Sequence, residues 1–381
     1  MTDYEFIVIG AGAMGSATAY HLAKDKRRVL LLEQFEIGHA RGSSHGESRI
    51  FRFAYPQPAY ARLAMQSKPL WAALETDCDE RLLLPTGGMD IADDPSGFDS
   101  VHTIAATLAE LGAQYEVLDA ARFSARFPQF KISPDGIAVY SPDAGVLLAD
   151  RCVRAAVRVA QRLGAAVHEC ERVHRILPEG SRVLVETEHG RYRAKGAIVT
   201  AGAWVNTLLA SLGLALPVTI EKEQVAYFDT RSAAAFKPPH WTIWIHYRAE
   251  IAYGFPDLGS GLKAGFHHAG HYLERADDNN GVPDQGDLDR LSQYVRERFP
   301  ALDPIPRNGL TCLYTNAPDH DFIIDPLPGA PNVWLASPCS GHGFKFAVGI
   351  GRALADLAQH GETQMSVAHT RRLAALLEAR Q

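Results

Sequence analysis

The chain is poor in cysteine. Its five residues, Cys78, Cys152, Cys170, Cys312 and Cys339, are odd in number and scattered, so the expectation is a reducing compartment, the cytoplasm, with no disulfide framework. A long apolar run is also missing. The longest apolar stretch, 197–216, is broken by Gly202, Asn206 and Gly213 and reads as strand, loop, helix and turn, which argues against a membrane span. The opening MTDYEF carries two acids and enters a strand pattern at once, so no signal peptide is expected there. Excess positive charge is absent too: the formal net charge is −6, and the basic cluster Lys24 to Arg28 is interrupted by Asp25. Nucleic-acid surfaces need clustered cations to displace counterions, so no nucleic-acid partner is expected. No repeat or low-complexity array occurs. With 46% hydrophobic and 22% charged residues over 381 positions, the composition is that of a globular chain of two or three domains.

What is there begins with Tyr4 to Gln34. An apolar run from Phe6 to Ile9 stops at Gly10, a helical pattern follows through Met14, Ala17, Ala19 and Leu22, and a second apolar run, Val29 to Leu32, ends on Glu33. Gly10, Gly12 and Gly15 form G-x-G-x-x-G between strand and helix. There the first glycine makes the tight turn, the second lets backbone approach a pyrophosphate, and the third lets helix pack on strand. The helix N-terminus offers unpaired N–H groups to the phosphates, and Glu33 is placed to accept the hydroxyls of an adenosine ribose. The polar loop from Gln34 to Ser48 then runs back toward the cofactor. It holds Ser43, Ser44 and His45 and is followed by Arg49 and Arg52, which would share a face if a helix began at Arg49.

Further along, 59–76 has the spacing of an amphipathic helix, TGGMDIAD that of a short strand, and 101–111 and 150–163 those of helices. A strand from Arg191 to Thr200 ends on a small-residue turn at Ala201 and Gly202. From Val218 the pattern alternates through 242–247, 251–255 and 261–267 between Pro and Gly turns, as in an antiparallel sheet. A helix, 287–299, closes at Pro300, and the strand 333–336 leads through the glycine turn SGHG into a helix from Phe344 to about Gln359. GIGRAL at 349–354 lies inside that helix with no preceding strand, so the chain has one dinucleotide fingerprint. The residues alone leave two readings open: a nicotinamide enzyme, or a flavin enzyme that takes electrons from a small substrate.

Beyond the fingerprint, SSHGESRIFR, YGFPDLGSGLKAGFHHAG, TCLYTNAPDHDFIID and CSGHGFKF follow one another in an order and spacing that resemble the monomeric sarcosine oxidase and N-methyltryptophan oxidase family of FAD amine oxidases. The likeness spans nearly the whole chain. It implies an α/β FAD-binding domain, Rossmann-like and of glutathione reductase type, from 1–84, 141–217 and 306–381. A substrate domain, α+β with a mainly antiparallel sheet, would comprise 85–140 and 218–305. Around FAD the likeness sets Gly10, Gly12, Gly15, Glu33, Ser43, Ser44, His45, Ser48 and Arg49 at the adenosine and loop side. Ala201 and Gly202 form a second approach, and Gly341, Gly343, Phe344 and Lys345 sit in the last turn.

The same likeness implies a thioether from Cys312 to the flavin, for which a lowered thiol pKa would serve, with nearby Lys and Arg to provide it. Lys263 would assist the reaction with oxygen, since a fixed cation stabilises developing superoxide and peroxide charge in a dry site. Arg49 would stand close to the flavin, and with His267 completes the implied catalytic group. Arg52 and Lys345 would clamp the substrate carboxylate, while Tyr253, His267 and Tyr314 line its cavity.

The implied reaction is oxidative demethylation of sarcosine or another N-methyl amino acid, giving amino acid, formaldehyde and hydrogen peroxide. Deprotonation of the amine must come first, with no residue assigned as the base. A cyclic secondary amino acid such as proline or pipecolate is the alternative substrate. A nicotinamide dehydrogenase and a flavin-bearing subunit without turnover stand behind it. Trp241, Trp244 and Tyr247 could shape a larger cavity. His267 and His268 lie between Gly265 and Gly270, with His271 just after, and the preceding alternation is that of a strand, so no metal is expected. A monomer is expected.

Overall fold

An apolar run buried on both faces belongs in the middle of a parallel sheet. In the computed structural model, which describes residues 3–230, 232–370 and 372–378, Asp3–Ile9 is such a strand and lies parallel to Val29–Leu32 on one side and Arg191–Val199 on the other. The register sets Ile9 beside Leu32 and Val199, and Val199 beside Leu335 of Ala330–Ser337. Four parallel strands therefore end at one level, the place where ligands of open α/β sheets bind. Ala166–His168 extends the sheet beyond Val29–Leu32. Val173–Glu179, Arg182–Thr187 and Ile323–Leu327 bring it to eight strands.

Helices Ala13–Lys24, Ala149–Arg162 and Ala347–His360 bury one face of this sheet, with Val8, Leu31 and Ile198 beneath them. Each such fully buried side chain contributes about 1.5–3 kcal/mol. The GIGRAL glycines are explained here: a Cβ on Gly351 would lie 2.7 Å from the Ala17 carbonyl carbon, so the residue lets two helices touch backbone to backbone.

The second sheet has nine strands. Thr219–Thr230 pairs antiparallel with Leu262–Phe266, His271–Leu273 and Leu302–Asn316, and the sheet continues through Ala252–Phe255, Ile243–Tyr247, Gly88–Ala92, Ile137–Ser141 and Glu116–Asp119. Its core is aromatic: Phe130, Phe236, Trp241, Trp244 and Phe299 are all buried together. Leu302–Asn316 runs unbroken through the domain boundary expected at 306, so 306–316 belong to this sheet and not to the first. Pro304, Pro306 and the Asn308–Gly309 pair interrupt its alternation, but they fall where the register against Tyr227 to Thr230 shifts, and an edge strand tolerates them.

A second correction concerns Arg49. Arg49–Phe51 is a short strand paired with Gly145–Leu147, because Ile50 and Phe51 favour a pleated, half-buried setting over a helix start. Among the described residues no helix is long and apolar enough to cross a membrane.

Candidate active site

One cavity of about 460 Å³ runs from the ends of the parallel strands to the nine-stranded sheet. At the strand end it is shaped by the glycine turn. Gly10 has φ +98° and a Cβ there would stand 2.6 Å from the Thr200 carbonyl oxygen; a Cβ on Gly15 would strike the Gly10 carbonyl oxygen. Only glycine closes this turn. Glu33, buried, accepts from Ala11 N at 2.7 Å and Phe35 N at 3.0 Å, tying the turn to the loop that follows. Burial raises its carboxyl pKa, and those backbone N–H groups pull it back. Ser44 Oγ accepts from Ala13 N at 3.0 Å, at the first turn of the helix, and Ala201 and Gly202 line the cavity beyond Thr200.

The loop before Arg49–Phe51 is gathered by Arg49 itself, whose guanidinium donates to the carbonyls of Ser43, His45 and Ser48, each at 2.8 Å. Ser43 Oγ donates to the Leu313 carbonyl, fastening the loop to the second sheet. His45 is pushed down to about 4 by burial and the Arg49 charge, and its Nε2 is buried without a partner among the described residues. Lys263, 4% exposed, comes from the strand Leu262–Phe266, set between Tyr227 and Phe255 by the register. Its ammonium donates to Ser48 O at 3.1 Å and Ser48 Oγ at 3.2 Å. Burial, then Arg49, pushes its pKa down to about 7.

At the far end two more cations meet. Lys345 lies just past the glycine turn, where a Cβ on Gly343 would strike the Pro338 carbonyl oxygen and one on Gly341, at φ +76°, would press on Tyr314 and His267. Its ammonium donates to Tyr55 Oη at 2.8 Å and His342 O at 2.7 Å, and burial and Arg52 hold its pKa well below the usual lysine value. Both cations meet Tyr55, whose ring centroid is 5.3 Å from this ammonium and 4.7 Å from the Arg52 guanidinium. Arg52 Nη1 is 2.5 Å from Asp90 Oδ1. Tyr253, His267 and Tyr314 line the same end, with His267 Nδ1 3.3 Å from Tyr314 Oη. Burial and neighbouring cations keep the imidazole well below its usual pKa, hence neutral. Phe344 stacks on Trp71.

Of the residues that the sequence assigned to the site, all but Gly15 line the cavity; Gly15 packs behind the turn against Gly10 and Thr200, and two further expectations are corrected. Cys312 lines the cavity opposite Glu223, but its thiol is pushed up to about 11: burial outweighs Arg49 and Lys263, which pull the other way. Trp241 and Trp244 do not reach the cavity. They pack on Phe299 at 5.7 and 5.3 Å between centroids, and of the three aromatics only Tyr247 lines it. Sequence reasoning passed over Tyr55, Thr200, His342 and Asp90. Asp90 carried a signal, a charge inside the apolar run of TGGMDIAD, and His342 lay within the SGHG turn. The three histidines do not converge on one point. His268 groups with Glu221 and Glu223, and His271 with Asp284 and Asp287; burial and Glu221 push Glu223 up to about 8.

A glycine cradle at a helix N-terminus, a buried ribose-side carboxylate and an orphaned imidazole nitrogen over a long cavity fit a dinucleotide that carries its reactive ring at the far end. The family model for FAD dependent oxidoreductases of the DAO type matches residues 5–357. The human peroxisomal sarcosine oxidase is 34% identical over 361 residues, covering 93% of this chain and 92% of the relative. The monomeric sarcosine oxidase of Bacillus sp. strain B-0618 is 32% identical, with 96% and 95% covered. Among solved structures, the open form of NikD, an unusual amino acid oxidase essential for nikkomycin biosynthesis, superposes with a TM-score of 0.85 at 27% identity, covering 97% of this chain and 98% of that one. The chain therefore belongs to the FAD dependent oxidoreductase family, as a flavin amine oxidase homologous to the sarcosine oxidases.

Proposed function

We propose that this enzyme oxidises secondary amino acids, demethylating sarcosine or another N-methyl amino acid to the amino acid, formaldehyde and hydrogen peroxide with oxygen as acceptor. One observation carries the reading: Arg52 and Lys345, both buried, meet at Tyr55 at the end of a cavity whose other end fits a dinucleotide. A pair of desolvated cations with free donor capacity is a carboxylate site, and the relatives named above act, by their names, on sarcosine. The nine-stranded sheet is the substrate-binding part in this reading.

Bound FAD supplies the two-electron acceptor. The protein's residues do the rest. Gly10, Gly12, Gly15 and Glu33 would hold the adenosine end; Ser43, Ser44, His45, Ser48, Ala201 and Gly202 would hold the middle; Arg49, Gly341, Gly343 and Phe344 would flank the ring. Arg52 and Lys345 orient the carboxylate, and Tyr253, His267 and Tyr314 enclose the amine with water excluded. A neutral His267 and the clamp's positive charge favour binding of the amine without its extra proton, so no strong base is needed. Lys263, held by Ser48 at the edge of the cavity, supplies the fixed cation for oxygen.

Cys312 is the attachment point we propose for the flavin, and with its pKa raised, attachment is slow and alkaline pH speeds it. Acid precipitation should leave yellow colour on the wild-type polypeptide and none on Cys312→Ser; colour lost from both would remove the thioether from the account. We further propose a monomer in a reducing compartment, the cytoplasm, in line with five free cysteines.

The reading is tested by incubating the holoenzyme with N-methyl amino acids and assaying peroxide and formaldehyde, which should appear in equal amounts. Peroxide without formaldehyde, from proline or pipecolate, would favour the cyclic substrate, which needs the same clamp. No peroxide from either set would overturn both.

A further inference from the structure

Asp90 is 1% exposed in the centre of Gly88–Ala92, a strand with every residue buried. A carboxylate in that position must be paired, and its partner is Arg52, 2.5 Å away and 8% exposed. The parallel register with Ile243–Tyr247 sets Ala92 beside Tyr247 and brings the tyrosine hydroxyl between the two. That hydroxyl accepts from Arg52 Nη1 at 2.9 Å and donates to Asp90 Oδ1 at 3.3 Å. The Ala54 carbonyl accepts from the same Nη1. Among the described residues the partners of the guanidinium gather on Nη1, while Nε, on the other edge, is buried with none. Arg52 and Tyr247 line the cavity and Asp90 stands behind them.

With its partners on Nη1, the guanidinium keeps the donors of Nη2, which is not among its buried unpartnered atoms, and because Arg52 lines the cavity a substrate carboxylate can accept from them. We infer that Asp90, through Tyr247 and directly, is a positioning residue that grips Arg52 by one nitrogen and turns its other edge to the substrate carboxylate. This inference rests on the functional reading above. Because Asp90 holds the guanidinium before substrate arrives, little ordering is left to be done on binding, and the effect of losing Asp90 falls on KM more than on kcat. Simple charge counting gives the opposite sign, since removing an anion beside the clamp would tighten carboxylate binding. The two accounts therefore separate cleanly.

The experiment uses the holoenzyme and four variants: Asp90→Asn, which keeps an acceptor, Asp90→Ala, which keeps none, Arg52→Met, and Asp90→Leu combined with Arg52→Met. Asp90→Asn should raise KM about fivefold and Asp90→Ala about twentyfold or more, each with kcat at saturation within about twofold of wild type. The KM of the substrate's methyl ester should not move. In the Arg52→Met background, loss of Asp90 should do no further harm, because there is nothing left to position. This double variant also removes the buried pair as a unit, so it stays folded if Asp90→Ala does not.

A KM for Asp90→Asn at or below the wild-type value overturns the inference, as does a further loss in the Arg52→Met background. Acetate binding to the oxidised wild-type and Asp90→Asn holoenzymes, read from the flavin spectrum, separates two failures. If no N-methyl amino acid reduces the wild-type flavin, the functional reading fails, while a weaker acetate affinity in Asp90→Asn still supports the positioning role and an equal affinity refutes it.

Discussion

Lys263→Met is expected to leave anaerobic reduction of the flavin within about threefold of wild type and to slow reoxidation by oxygen by about 10²–10³. The lysine is almost fully buried, has no carboxylate partner among its hydrogen bonds, and is held by Ser48 at the edge of the cavity. A cation fixed in a dry site acts on charge as it develops, without solvent having to reorganise, so the step that builds negative charge on oxygen loses most when it is removed. The step that takes a hydride equivalent from the amine does not use it. Stopped-flow mixing, first with amine and then with oxygen, measures the two steps apart. Equal slowing of both would mean that the substitution has disturbed the cavity as a whole.

The same lysine predicts a pH effect on the flavin-free protein. Its folded pKa of about 7 lies below the ordinary lysine value. Between about pH 7 and 10.4 the folded chain therefore binds fewer protons here than the unfolded chain, and stability from this group rises with pH. Lys263 costs most below pH 7, and the cost fades as pH climbs through that window. Lys263→Met should thus be more stable than wild type by a few kcal/mol at pH 6.5, with the gap closing by pH 10. A gap that does not change with pH would show that Lys263 is not the group responsible.

Arg52→Met is expected to lower kcat/KM for an N-methyl amino acid by at least about 10²-fold, mostly through KM. Truncating one partner of a buried charge pair costs about 2–5 kcal/mol, and here two pairs are broken: the one with substrate and the one with Asp90. Arg52→Lys should recover little, because an ammonium cannot keep Asp90 and Tyr247 on one nitrogen while offering a second N–H to the cavity. Lys345→Met should weaken binding less, since its ammonium is anchored by neutral acceptors, Tyr55 and the His342 carbonyl. Initial rates over a wide substrate range decide it; a variant with unchanged KM would take Arg52 out of the clamp.

The first sheet could be read from residues because its signals are local. Glycine spacing, a buried apolar run and a closing acid act within one βαβ unit, and the structure keeps all of them. The substrate part was legible only in outline. Alternation between Pro and Gly turns announced antiparallel strands, but Leu302–Asn316 hid behind two prolines and an Asn-Gly pair that an edge strand absorbs at register shifts. Short strands such as Gly145–Leu147 and Glu116–Asp119 carry too few residues to show a period.

In the cavity, most side chains named from a motif line it, though His342 of CSGHGFKF was passed over, and those supplied by pairing were not anticipated. Asp90 illustrates the difference: its place beside Arg52 follows from the register of Gly88–Ala92 against Ile243–Tyr247, two segments far apart in the chain. The Cys312 thiol erred for a similar reason. Nearby cations are visible in sequence, whereas the depth of burial that outweighs them is not.

The central claim is that this cavity binds an N-methyl amino acid by its carboxylate and passes two electrons from its C–N bond to the flavin. Anaerobic titration of the oxidised holoenzyme with sarcosine and larger N-methyl amino acids tests it most directly. The account predicts full bleaching of the visible flavin band by one equivalent of at least one of them, with one equivalent of formaldehyde formed and no bleaching by the corresponding N-methyl amine that lacks a carboxylate. A flavin that stays oxidised with every N-methyl amino acid, or that bleaches equally well with the amine, would contradict it.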